Sequence, residues 1–105
     1  MQQALERQII FQDHKEAYAL LGDRDEFLQI LRENFSCQFI SHGDSLVILG
    51  EGSLVEAATK VMTELQYLYR QGTAITTHEV RYGIGLIKGG KGEALHTLFG
   101  DTILV

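Results

Sequence analysis

Leu20-Leu21-Gly22-Asp23-Arg24-Asp25-Glu26-Phe27-Leu28 reads as the end of one helix and the beginning of another, joined at a tight corner. Gly22 supplies the backbone freedom with which helices commonly terminate. Asp23 stands three residues before Glu26, the spacing of a capping box, in which the first side chain accepts from a backbone N–H and the glutamate reaches back. The pattern predicts a second helix from about Arg24 to Phe35, with Phe27, Leu28, Leu31 and Phe35 on its inward face. Upstream, Asp13…Glu16 repeats the capping spacing. It predicts a first helix from about His14 to Leu21, with Ala17, Leu20 and Leu21 inward. Arg7 to Phe11 precedes it as a short β-prone segment.

Downstream, Cys37-Gln38-Phe39-Ile40 and Leu46-Val47-Ile48-Leu49 read as strands around Ser41-His42-Gly43-Asp44-Ser45, a hairpin turn in which Gly43 can take a positive φ. Ser53…Glu56 predicts the start of a third helix from about Leu54 to Arg70. Its stripe is Leu54, Ala58, Val61, Leu65 and Leu68, and Gly72 ends it. Thr76…Glu79 predicts a fourth, from about Thr77 to Lys88, with Val80, Ile84 and Ile87 inward. Gly83 and Gly85 weaken that helix by up to roughly 1 kcal/mol each. The order is β-α-α-β-β-α, then a small helix and a tail. It defines an α+β fold in which helices cover one face of a three-stranded antiparallel sheet.

The 105 residues fit one domain. The net charge of −5 counts against a protein that coats duplex nucleic acid, whose affinity comes from neutralising phosphates. A local groove for a single strand stays open to an acidic chain. The single cysteine, Cys37, rules out an intrachain disulfide and reads as a small buried hydrophobe. The first residues lack a signal peptide, and no run approaches the ~20 apolar residues of a membrane span. A soluble, cytoplasmic protein is expected. The apolar ending Asp101-Thr102-Ile103-Leu104-Val105 predicts a chain that continues in a longer protein, with a last strand near Thr102 paired partly outside it.

The β-α-α-β-β-α order resembles a type I KH domain, a module that clamps single-stranded nucleic acid with a GXXG loop between its first two helices. Gly22-Asp23-Arg24-Asp25 stands at that position; its first glycine is present and its second is replaced by Asp25. Further stretches carry a closer likeness: Leu20 to Leu28, Ser41 to Gly50, Val55 to Leu65 and Gly72 to Val80. Together they resemble the N-terminal region of the PhoH family, bacterial ATPases named for phosphate starvation, over roughly Gln8 to Ile87. The resemblance implies a KH-like domain over residues 1–88 and a connector over 89–105. A P-loop ATPase domain lying outside this chain would use ATP and Mg²⁺. It further implies single-stranded RNA as a ligand, the ATPase domain as a partner in cis, and homo-oligomers.

Gly85-Leu86-Ile87-Lys88-Gly89-Gly90-Lys91-Gly92 nearly spells a phosphate-binding loop, but Gly92 replaces the hydroxyl that would hold Mg²⁺. The run also leaves a helix instead of opening one, so it reads as a linker, and no catalytic residue is assigned to the chain. Gly22, Asp23, Arg24 and Asp25 are the candidate nucleic-acid contacts. Asp23 and Asp25 would repel phosphate and Arg24 would attract it; the plainer reading is that Gly22 ends one helix and Asp23 caps the next. His14, His42, His78 and His96 form no metal-ligand spacing with Cys37. Tyr67 and Tyr69 fall on opposite sides of the third helix, where packing explains at least one of them. Two roles follow: an accessory domain that guides RNA, or an assembly module that positions ATPase subunits or a partner nuclease. A basic groove beside Gly22 would favour the first; an acidic one would weaken it.

Overall fold

A computed structural model describes residues 4–89. The elements are β1 (Ala4–Ile10), α1 (His14–Leu21), a 3₁₀ turn (Asp23–Asp25), α2 (Glu26–Asn34), β2 (Gln38–His42), β3 (Ser45–Glu51), α3 (Gly52–Arg70) and α4 (Thr77–Lys88). The fold is α+β in the expected β-α-α-β-β-α order, with α4 added. Its sheet is antiparallel, three-stranded and ordered β1-β3-β2.

Strand alternation sorts the sheet into two faces. Ile9 opposes Leu46 and Phe39 opposes Ile48, and all four are buried beneath the helices. Gln8, Val47 and Ile40 lie in one register row on the other face, where Ile40 is 48% and Ile10 60% exposed. α3 spans the helical layer, packing on β1, β3, α1 and α4. Val55, Ala58, Val61, Met62, Leu65 and Leu68 are fully buried along it. Each large apolar side chain so buried contributes roughly 1.5–3 kcal/mol. The expected inward residues of α1 and α2 are all buried, whereas Leu54 and Ile87 are only partly so.

Only one of the four expected capping boxes closes in full. Thr76 N–H donates to Glu79 Oε1 at 2.7 Å and the Thr76 hydroxyl accepts from His78 N–H at 3.2 Å. At α1, Asp13 accepts from Glu16 N–H at 2.9 Å, but the Glu16 carboxylate takes the Gln12 N–H at 2.6 Å and is fully buried. Ser53 is not the cap of α3. β3 runs directly into that helix, so its last residue, Glu51, becomes the cap and accepts from Leu54 N–H at 3.1 Å. Ser53 Oγ donates to Glu51 at 2.7 Å instead, and Glu56 pairs with Arg7 at 3.1 Å. Asp23 caps nothing either. The chain from Gly22 winds a 3₁₀ turn, so α2 begins at Glu26, two residues later than its spacing implies.

Both edge strands are capped from the helical layer. Gln66 Nε2 donates to Ile10 O at 2.9 Å on β1, and Arg32 donates to Phe39 O at 2.8 Å on β2. Such contacts occupy edge groups that invite further strand pairing. Cys37, expected in the core, precedes β2 and is half-buried beside Gly50. Burial, then the nearby Glu51 charge, raises its pKa. Apart from Gly89, the connector assigned to 89–105 lies outside the described residues, as do the strand expected near Thr102 and His96.

Candidate nucleic-acid interface

Gly22, Asp23, Arg24 and Asp25 form one corner between α1 and α2, with all but Gly22 exposed. Gly22 N–H donates to Tyr18 O at 2.8 Å and closes α1; Asp25 N–H donates back to Gly22 O at 3.1 Å. Gly22 has φ 87°, and a Cβ there would stand 2.9 Å from the Phe27 backbone nitrogen. Arg24 and Asp25 have φ 55° and 59°. Asp25, standing where the resemblance expects a second glycine, thus keeps a backbone conformation that glycine adopts freely, at a cost of about 1–2 kcal/mol.

The corner's chemistry is acidic. Asp23, Asp25 and Glu26 surround the single cation Arg24. Beside Gly22 lies a notch of about 240 Å³ lined by Tyr18, Asp23, Glu26, Phe27 and Ile75. The Tyr18 hydroxyl donates to Asp23 Oδ1 at 3.2 Å; that hydrogen bond, then the Asp23 charge, raises the phenol pKa. The lining carries two carboxylates and no cation, an arrangement that opposes an approaching phosphate.

The sequence reading missed a network on the far side of α1. Glu16 Oε2 accepts from Arg70 Nε at 2.7 Å, and Oε1 accepts from an Arg70 terminal nitrogen at 2.9 Å and from Gln66 at 3.1 Å. The Arg70 hydrogen bonds are the main cause holding the Glu16 pKa down to about 2. Arg70 also lines an open cleft of about 700 Å³ with Gln12, Tyr69 and Thr73, but its guanidinium is committed to Glu16. A signal was present, since Glu16 lies four residues before Leu20 on the inward stripe of α1.

Tyr67 and Tyr69 both pack against the core. His14 lies 2.6 Å from Asp44, and His78 stacks on Tyr82. No group of three or more metal-ligating side chains converges among the described residues. Gly85 to Lys88 form the last turn of α4 and Gly89 its cap, so these residues of the near-match close a helix, whereas a phosphate loop follows a strand. Lys91 and Gly92 lie outside the described residues. Among the described residues, no helix is long and apolar enough to cross a membrane.

Fold and corner together define an α+β module with the element order of a type I KH domain. Curated PhoH-like proteins are its relatives over most of the chain. One from Bacillus subtilis is 25% identical over 88 residues, covering 84% of this chain and 28% of that protein. Those from Mycobacterium bovis and Mycobacterium tuberculosis are 29% identical over 75 residues, 71% of this chain and 21% of theirs. The chain therefore spans only about a quarter of the length of these relatives. No family model and no solved structure matches it.

Proposed function

We propose that this chain is the accessory, KH-like module of a PhoH-family ATPase, presenting single-stranded RNA to an ATP- and Mg²⁺-dependent domain elsewhere in the protein. The observation that carries this reading is the match to PhoH-like proteins over 84% of the chain, though it spans 28% of the Bacillus relative's length. Such coverage fits one module of a larger machine. The β-α-α-β-β-α order supports the RNA role. The acidic notch beside Gly22 argues that its RNA contact lies away from the Gly22–Asp25 corner. A cytoplasmic location and a part in the phosphate-starvation response belong to the same reading. Anisotropy of a labelled single-stranded RNA at low salt tests it: saturable binding supports it, and no detectable binding overturns the RNA role. ATP turnover by this chain alone would overturn the accessory role.

A second reading, an assembly module, is favoured by the open sheet face, where Ile10 and Ile40 are exposed and Val47 and Leu49 half-buried. Sedimentation of the chain as a monomer at high micromolar concentration would count against self-assembly through that face.

A further inference from the structure

We propose that the solvent face of α4 is the site at which this module binds single-stranded RNA, gripping phosphates with Arg81 and Lys88 and stacking a base on the His78–Tyr82 pair. The proposal rests on the RNA reading above and locates it.

His78, Arg81, Tyr82, Gly85 and Lys88 recur at i, i+3, i+4, i+7 and i+10, which places them on one side of a helix. Val80, Gly83 and Ile84 occupy the opposite side and are buried. Arg81 and Lys88 are exposed and line a notch of about 170 Å³ with Asn34, Ile84 and Gly85. The ion pairs Arg7–Glu56, His14–Asp44 and Arg70–Glu16 involve neither cation of the notch. Lys88 is held at the notch by the Phe35 ring, 5.3 Å from its ammonium. Glu79, the carboxylate of this helix, turns back to the Thr76 N–H at the helix start.

Beside the cations, the His78 and Tyr82 rings stack at 6.0 Å with 11° between their planes. His78 is exposed and Tyr82 is 37% exposed. Gly85 lies between the two halves. A Cβ there would meet nothing within 4 Å, so packing does not explain a residue that weakens the helix interior. Its missing side chain leaves bare helix backbone between cations and rings, where a nucleotide can approach closely. Phosphate-tracking cations beside a stacking surface are the chemistry of single-strand binding. Two cations are too few for a duplex reader on a chain of net charge −5.

The test uses the full chain, a labelled oligouridylate of roughly ten nucleotides and oligoglutamate as a competing polyanion, with circular dichroism to confirm folding. The double variant Arg81→Ala/Lys88→Ala is expected to weaken RNA binding at least about tenfold and to flatten the salt dependence of log K by about 1.4. Tyr82→Ala should weaken it about tenfold through lost stacking. Gly85→Ala should weaken binding while raising the thermal midpoint, an opposition that a purely structural glycine would not give. Arg24→Ala and Lys60→Ala should leave binding unchanged. Loss with Arg24→Ala but not with the double variant overturns the α4 site and leaves the RNA reading standing. An equal loss with Lys60→Ala, or displacement by oligoglutamate as effective as by RNA, overturns the site as a general charge effect or a polyanion surface. No RNA binding by the unmodified chain overturns both readings.

Discussion

Glu16 shows how one side chain can serve two purposes at once. Its backbone N–H satisfies the Asp13 cap, while its buried carboxylate ties α1 to α3 through Arg70 and Gln66. Its folded pKa, about 2, lies below the ordinary value of 4.5. The resulting stabilisation is therefore complete above pH ~4.5 and is lost as pH falls toward ~2. Discounted for the half-exposed Arg70, it amounts to roughly 2–3 kcal/mol. Urea unfolding followed between pH 6 and pH 2.5 should show that loss, and Arg70→Ala should flatten or reverse it, because burial without the guanidinium no longer leaves the Glu16 pKa depressed. Removing Arg70 strands a buried carboxylate, so that variant should also lose about 3 kcal/mol at neutral pH. Gly22 poses a different constraint: its φ of 87° and the 2.9 Å approach to Phe27 N leave no room for a methyl group. Gly22→Ala should cost roughly 2 kcal/mol or more by chemical denaturation.

At the scale of the element, helix starts are decided by which acceptor reaches the free N–H groups first. Thr76 ends the loop before α4 and Glu79 stands in the first turn of that helix, and their box closes as the spacing implies. Burial pushes the Glu79 pKa up, yet the hydrogen bonds from Thr76 hold it below its ordinary value overall. Thr76→Ala should lower stability by about 1 kcal/mol in thermal unfolding. Ser53→Ala should cost under about 0.5 kcal/mol, because Glu51 holds the Leu54 N–H. Glu51→Ala should cost about 1 kcal/mol. A larger loss for Ser53→Ala than for Glu51→Ala would mean that the cap assignment is wrong.

For the whole molecule, one helical layer makes the two sheet faces unequal. Leu65, fully buried against the sheet, should cost about 2–5 kcal/mol when changed to Ala, with denaturant unfolding as the measure. Ile40→Thr, on the open face, should stay within about 0.5 kcal/mol of the parent. The same asymmetry sets apart the possible working surfaces. The Gly22–Asp25 corner is acidic, the cleft beside Arg70 is neutralised from within, and the outer face of α4 sets Arg81 and Lys88 on the same side as the stacked His78 and Tyr82 rings.

Local periodicity was enough to read four helices, three strands and their order, because burying apolar side chains imposes a spacing of 3.6 on helices and 2 on strands. Gly22 as a helix terminator and the Thr76–Glu79 box were legible for the same reason: each is a contact between residues close in sequence. The roles of Asp23, Ser53 and Glu16 were not. Asp23 answers to Tyr18, Ser53 yields to a glutamate at the end of β3, and Glu16 is committed to an arginine 54 positions away. Packing also left Cys37 half-buried at the edge of the core. The candidate corner was visible in sequence as Gly22-Asp23-Arg24-Asp25. Only folding set Ile75 beside it, laid Arg81 and Lys88 along one notch and stacked His78 on Tyr82. Sequence determines which groups a segment carries, whereas the packing of α4 against the core decides which of them meet the solvent together.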